Sequence, residues 1–328
     1  MHLFTIINSG GLDFLIEKVS EADVFRYIFM SVSVLVFGYV VVWGQTRSLY
    51  KANRLLKEKE EALRQIGAQS EELAFKNKNI TDSLTYAKRI QEALIPSPVY
   101  FARHFSESFI LFKPRDIVSG DFYHVVENGT RTYVVVADCT GHGVPGALMS
   151  MIGIQTVDRI IKGKDDISPS EVLDKLNLEV ESTFHREDEY SRTIKDGMDI
   201  SICCIDKTKG VAEFSGSFLP LYLIRDGKLT EYKGDKQFIG KKVEGQTYTN
   251  HIISLEKDDV IYMMSDGYAD QFGGTENKKF MNRRLRYLLV TIHTYSLKDQ
   301  GEILEENITT WMGINQQIDD ILVIGFRP

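Results

Sequence analysis

Twenty consecutive residues, Tyr27 to Thr46, carry no charge, and the stretch from Tyr27 to Trp43 reads YIFMSVSVLVFGYVVVW. At about 1.5 Å per residue a helix of this length spans roughly 30 Å, the hydrocarbon thickness of a bilayer. Such a segment belongs either in lipid or at the centre of a large core. We expect one transmembrane helix over 27–45, with Tyr27 and Trp43 at the two interfaces and Arg26 and Arg47 outside them. Lys18 and Arg26, among several acids, precede the run, whereas Arg47, Lys51, Arg54, Lys57 and Lys59 follow it. Positive charge is retained on the cytosolic side, so the C-terminal part is expected there. The acidic stretch EKVSEAD stands where a cleaved signal peptide carries basic residues, which favours a signal anchor with a short N-terminal segment over 1–26.

Residues 46–95 are rich in Leu, Glu, Lys and Gln and contain no proline. A heptad frame places Leu49, Leu56, Leu63, Ser70, Asn77 and Leu84 at a, and Ala52, Lys59, Ile66, Leu73, Ile80, Ala87 and Leu94 at d. That pattern predicts a parallel coiled-coil homodimer with Asn77 setting the register; the alternative is a single amphipathic helix. Pro96 and Pro98 end the helix, and we expect a catalytic domain over 96–328.

Downstream of Phe109 the pattern changes to short β-rich runs at 109–113, 132–138, 198–206, 220–225, 259–266 and 320–327. Helix-like stretches lie between them at roughly 145–162, 169–187, 277–293 and 298–312. Strands and helices do not alternate strictly, so an α+β layered sheet protein is expected in preference to a doubly wound parallel one. A net charge of −7 argues against nucleic acid as a partner. Three cysteines, without C-x-x-C spacing, argue against a disulfide framework. None of them is followed six residues later by arginine, which removes the loop of a cysteine-nucleophile phosphatase.

Four apolar runs finish on or run into aspartate: SGDFY at Asp121, VVVADCTGHG at Asp138, YMMSDG at Asp266 and QQIDDILVI at Asp319 and Asp320. Any one of these acids alone reads as a turn residue. Together they are tolerable at one place only if protons or cations neutralise them, and an all-oxygen ligand set suits magnesium or manganese. Gly120, Gly141, Gly143 and Gly267 beside them allow tight loops. His142 is either a proton donor near the acids or an ordinary loop histidine.

The segments DIVSGDFY, VVVADCTGHGVPGALMSMIG, DGMDISICCID, YMMSDGYADQFGG and IDDILVIGFR resemble the motifs of the SpoIIE-type branch of the PPM, or protein phosphatase 2C-like, phosphatases. TDSLTYAKRIQEALIPSP at 81–98 is similar to the linker that precedes this domain in bacterial members. The resemblance implies a β-sandwich flanked by helices and two divalent metal ions, manganese or magnesium. It implies catalytic roles for Asp121, Asp138 and Asp266, with ligands from Asp121, Asp138, the Cys139 backbone carbonyl, Asp266, Asp319 and, more weakly, Asp320. It further implies hydrolysis of phosphoserine or phosphothreonine on a cytosolic regulatory protein, such as an anti-sigma-factor antagonist, by a phosphatase anchored in the bacterial inner membrane. One departure stands out: where many members have A-G-x-N-x-P, this chain reads Phe214-Ser215-Gly216-Ser217-Phe218-Leu219-Pro220, so that the asparagine position falls to Phe218 or Leu219. A catalytically silent scaffold that binds a signalling partner is the alternative.

Overall fold

The computed structural model describes residues 21–184, 196–241 and 245–328. Most of the short segment expected over 1–26, and the end of the helix expected over 169–187, lie outside them. The chain divides into two compact units at Asn79 and Ile80.

In the first unit the described residues belong to one helix, α1 (Glu21–Leu94), whose last turns enter the second unit. No helix break separates the apolar run from the heptad stretch. Its most apolar 18-residue window has mean hydropathy 2.0 and none of it is buried, so by length and composition α1 can cross a membrane. The apolar heptad residues Leu49, Leu56, Leu63, Ile66 and Leu73 are exposed along it.

The second unit follows with α2 (Pro98–Ala102), whose N-cap Ser97 accepts from the Tyr100 N–H. One five-stranded antiparallel sheet comprises β2 (Phe122–Asn128), β3 (Arg131–Cys139), β4 (Met198–Asp206), β5 (Val211–Ser217) and β8 (His251–Ser254), in the order β2-β3-β4-β5-β8. The other comprises β1 (Glu107–Lys113), β6 (Leu221–Arg225), β7 (Lys228–Tyr232), β9 (Val260–Met264) and β12 (Ile321–Arg327), in the order β1-β12-β9-β6-β7. Helices α3 (Val144–Lys162) and α4 (Pro169–Phe184) cover the first sheet. The second is covered by α5 (Gly267–Asp270), α6 (Asn282–Ile292) and α7 (Leu297–Met312), with a small hairpin of β10 (Phe272–Gly273) and β11 (Lys278–Lys279) alongside.

Side chains alternate between faces along a strand, and here both faces are buried. Val134 and Val136 of β3 join Met263 of β9 and Leu322 of β12 in the core between the sheets, whereas Tyr133, Val135 and Ala137 pack under α3 and α4. Tyr262 and Met264 of β9 likewise point to the helices on the far side. The continuous apolar runs are thus explained by burial on two sides, and the result is a four-layer helix–sheet–sheet–helix α+β sandwich. Tyrosine hydroxyls fasten the outer layers: Tyr133 donates to the Ile167 carbonyl at 2.6 Å, and Tyr262 to Gln300 Oε1 at 2.6 Å.

The helix expected from 277 begins only at Asn282, because Lys278 and Lys279 pair with Gly273 and Phe272, and Met281 adopts φ 76°. Strands β2, β5, β7 and β8 were not among the expected runs; β7 (KLTEY) and β8 (HIIS) are short edge strands with little buried surface.

In the altered 215–220 stretch, Phe218 takes φ 59° and is 46% exposed. Its N–H donates to the Asp235 carbonyl while the Asp235 N–H donates back to Gly216. A bulky residue in the left-handed region is strained, and asparagine tolerates it far better. Phe218→Asn is expected to raise stability by about 1 kcal/mol, measured as a higher midpoint in urea unfolding; an unchanged or lower midpoint would show that ring contacts outweigh the strain.

Candidate active site

Antiparallel pairing sets the end of one strand beside the start of the next, and the acids occupy those positions. Asp121 immediately precedes β2, whose Phe122 pairs with Ala137, so it lies beside Asp138 at the end of β3. Asp138 in turn faces Asp199 at the start of β4. In the other sheet Asp266 follows β9 and begins α5, while Asp319 and Asp320 lead into β12, which pairs with β9 through Val323 and Met264. Both sheets therefore deliver carboxylates to the same edge of the sandwich.

Their electrostatics show how closely they gather. Asp121 is buried, and its carboxyl is pushed well above the ordinary range by burial, then by Asp138, with Ser265 pulling the other way. Its Oδ2 has no hydrogen-bond partner, a costly state for a buried polar atom. Asp138 is raised to about 8 by burial, then by Asp266, Asp319 and Asp199. Asp266 still reaches solvent, yet the protein around it, then Asp319 and Asp270, raises it as well. Asp319 is raised by burial, partly offset by the N–H of Asp320 and by Arg115.

Asp319 and Asp320 differ in what they hold. Asp320 is buried, and its carboxylate accepts from the backbone N–H groups of Arg115 at 2.7 Å, Gly120 at 2.7 Å and Asp121 at 3.4 Å. Those contacts commit it to shaping the 115–121 loop and leave Asp319 as the carboxylate of the pair that lines the central cavity. Close approach of the loops requires glycine: a Cβ at Gly146 would lie 2.2 Å from the Gly141 carbonyl oxygen, and one at Gly267 1.9 Å from that of Asp320.

The cavity at this edge, about 200 Å³, is bounded by Asp138, Cys139, His142, Asp199, Phe238 and Asp319. The Cys139 side chain is buried in the core and its thiol is pushed well up by burial, so only its backbone is available there. His142 Nδ1 lies 3.0 Å from Asp116 Oδ2, with both side chains partly in solvent. Asp199, raised to about 6 by burial and then by Asp266, is the site acid that motif reading overlooked; its signal was a charged residue inside the otherwise apolar run MDISICCID.

Among the described residues no three His, Cys, Asp or Glu side chains form a metal-holding group. The donor set nonetheless fits hard divalent cations: it is all oxygen, burial and mutual repulsion raise the proton affinity of Asp121 and Asp138, and Asp121 Oδ2 has no hydrogen-bond partner.

The same shifts set a pH dependence. Unfolded aspartates ionise near pH 4, while folded Asp138 keeps its proton to about 8. A raised carboxyl favours the folded state at low pH, and that advantage is lost as pH climbs between those two values. In chelator the melting temperature is expected to fall from pH 5 to pH 8, Asp138→Asn should flatten the fall, and manganese should restore stability at pH 8. A flat parent profile in a thermal-melt series would contradict this.

Residues 128–328 match the family model for stage II sporulation protein E, SpoIIE. The PP2C domain of SiaA from Pseudomonas aeruginosa is similar, with TM-score 0.69 and 31% identity over 77% of this chain and 98% of that one. The PP2C phosphatase domain of SpoIIE from Bacillus subtilis, with a fragment of its regulatory domain, shares the fold at TM-score 0.54 and 17% identity, over 67% and 62% of the two chains. The serine/threonine phosphatase of S. agalactiae does so at TM-score 0.50 and 16% identity, over 68% and 99%. No curated protein sequence matches. With more than half of the chain matched by the family model and a relative at 31% identity over 77% of it, the chain belongs to the SpoIIE family and carries a PP2C-type serine/threonine phosphatase domain, of a class that uses divalent metals.

Proposed function

We propose that the chain is a membrane-anchored signalling phosphatase that hydrolyses phosphoserine or phosphothreonine on a cytosolic regulatory protein, such as an anti-sigma-factor antagonist. The observation that carries the catalytic part is the convergence of Asp121, Asp138, Asp266 and Asp319 from both sheets on one edge of the sandwich, where Asp138 and Asp319 line a small cavity. These four, with the Cys139 carbonyl, would hold two manganese or magnesium ions. Bound there, the ions would make water nucleophilic at neutral pH and draw charge from the phosphoryl oxygens.

The chain's own residues do the rest. Asp320 keeps the 115–121 loop in place so that Asp121 meets the others. A carboxylate at Asp116 accepts from His142 Nδ1–H, which fixes the tautomer and leaves Nε2 to hand a proton to the departing serine or threonine oxygen. A cavity of about 200 Å³ suits a phosphorylated side chain better than a large ligand, and its openness at the edge leaves room for the protein that bears it.

The exposed apolar window of α1 supports the membrane anchor, and its exposed heptad leucines support a parallel dimer over 46–95, with Asn77 as the register residue. A single-pass anchor over 27–45 with the 96–328 domain in the cytosol follows from the charge bias.

Asp138→Asn and Asp266→Asn are expected to abolish turnover of a phosphopeptide at metal concentrations that saturate the parent, with the circular dichroism spectrum unchanged; full activity in either would refute the assignment. The neighbouring acids should separate. Asp319→Asn should lose the manganese-induced rise in melting temperature but melt in chelator no lower than the parent. Asp320→Asn sets an amide N–H against a backbone N–H and should lower stability by about 1–3 kcal/mol with or without metal. Replacing Leu56 and Leu63 together by Glu should convert a detergent-solubilised dimer to monomer in light scattering, and an unchanged mass would remove the coiled coil as its cause.

A further inference from the structure

Between Glu276 and Ser296 the chain carries no acid, yet it carries Lys278, Lys279, Arg283, Arg284 and Arg286. In a protein of net charge −7 this is a local reversal of sign. Some of these cations are neutralised nearby: Lys278 by Glu276, Lys279 by Asp270 and Arg286 by Glu231. Arg283 and Arg284, both exposed in the first turn of α6, have no carboxylate partner among the described residues.

Arg284 is held ready for one. Its guanidinium lies over the Trp311 ring, 4.4 Å from the centroid. That ring is itself fixed: its Nε1–H donates to the Gln271 carbonyl at 3.1 Å, Phe280 meets it edge to face, and a Cβ on Gly274 would come within 2.7 Å of it. Stacking occupies the face of a guanidinium and leaves its in-plane N–H groups, which bind carboxylates in pairs, to donate outward.

The surface is hollow on either side of Arg284. One hollow, about 560 Å³, is bounded by Phe272, Lys279, Met281 and Arg283; the other, about 500 Å³, by Tyr287, Leu288 and Trp311. Met281 stands 57% exposed at φ 76°, a conformation that side chains adopt at a cost, and Tyr287 is 75% exposed. Methionine and tyrosine beside arginines without carboxylate partners make an apolar floor with a basic rim, a composition enriched where one protein recognises another.

This groove is tied to the catalytic edge. The Met281 N–H donates to the Ala269 carbonyl at 2.7 Å, the Phe280 N–H to that of Gln271 at 2.9 Å, and Lys279 Nζ to Asp270 Oδ2 at 2.7 Å. Ala269 and Asp270 belong to α5, the single turn that begins next to Asp266. A phosphorylated side chain that reaches the acids therefore brings the protein bearing it within reach of the groove. The cavity between the acids holds little beyond that side chain, so discrimination among phosphoproteins falls to the surface beside it.

We propose that the groove around Arg284 is the docking site for an acidic segment of the phosphoprotein substrate, with Arg283 and Arg284 pairing its carboxylates and Met281 and Tyr287 covering its apolar side chains. The inference rests on the phosphatase reading given above and adds a substrate class to it: phosphoproteins that present Asp or Glu in a run outside the phosphorylated residue.

The test uses the full chain in detergent with manganese. Its probes are p-nitrophenyl phosphate, a phosphoserine peptide with neutral flanks, and the same peptide carrying an oligo-glutamate tail on a flexible Gly/Ser linker at either end. In the parent, KM should be about fivefold lower for the tailed peptide than for the neutral one, the combined effect of two exposed ion pairs, with similar kcat. That gain should shrink as salt rises. Arg283→Glu combined with Arg284→Glu should erase the preference and leave kcat/KM for the neutral peptide and p-nitrophenyl phosphate unchanged. Lys298→Glu, at the opposite end of α7 from Trp311, should behave as the parent. Should the double variant fail to fold, Arg283→Glu alone should lower the preference by about twofold. Equal KM for the two peptides in the parent, or a preference that survives the arginine substitutions, would overturn the inference and leave the phosphatase reading standing. With no peptide preference in the parent, a changed mass of the double variant in light scattering would give the groove to a second copy of the chain. Activation by phosphatidylglycerol micelles that the double variant loses would likewise give it to a lipid surface; either outcome overturns the inference. A parent that turns over none of the probes would overturn the phosphatase reading and this inference with it.

Discussion

Repulsion among buried carboxylates is the constraint around which this domain is organised. Asp121, Asp138, Asp199, Asp266 and Asp319 raise one another's proton affinity through a low-dielectric sandwich edge, and no packing advantage explains keeping them together. Such an arrangement suits a domain of a class that uses divalent metals. The rest of the fold can be read as the means of holding the acids together. Two sheets bury both their faces, which makes their strands stiff and their ends well located, and antiparallel pairing sets the end of β3 beside the starts of β2 and β4, and the end of β9 beside the start of β12.

Inside that frame two neighbouring acids divide the labour. Asp320 is spent on three backbone N–H groups, and Asp319 is left to face the cavity. A carboxylate accepting several backbone donors is well satisfied, so Asp320 can be buried without the penalty that falls on Asp121, whose Oδ2 has no partner. The contrast separates scaffold from chemistry more cleanly than position in the chain does.

Much of this was legible in the sequence where one physical cause dominates. Strands β3, β4, β9 and β12 announce themselves as unbroken apolar runs because they are buried on both faces, and their terminal aspartates stand out against that background. Strands whose ladder rather than side-chain pattern makes them strands, such as β7 and β8 at the sheet edges, left no such trace. The start of α6 was misplaced because Lys278 and Lys279 favour a helix locally, while their pairing with Phe272 and Gly273 is a tertiary matter. Within the site, Asp199 escaped notice because only the pairing of β4 with β3 sets it opposite Asp138, and Gln91 because nothing in a polar, Glu- and Lys-rich helix marks which amide will be buried.

The hydrogen bonds that Gln91, near the end of α1, makes with the backbone N–H and carbonyl of Ser119 bear on where the packed unit begins. The prolines at 96 and 98 look like a natural border, and Pro98 does open a new helix. A fragment cut there would retain every strand and every aspartate of the sandwich, yet it would leave the backbone groups of Ser119 facing an empty slot where Gln91 had been. The border of the packed unit thus lies inside the preceding helix, and a protein trimmed at the prolines would be whole in outline while lacking a side chain hydrogen-bonded to Ser119 and Ser150.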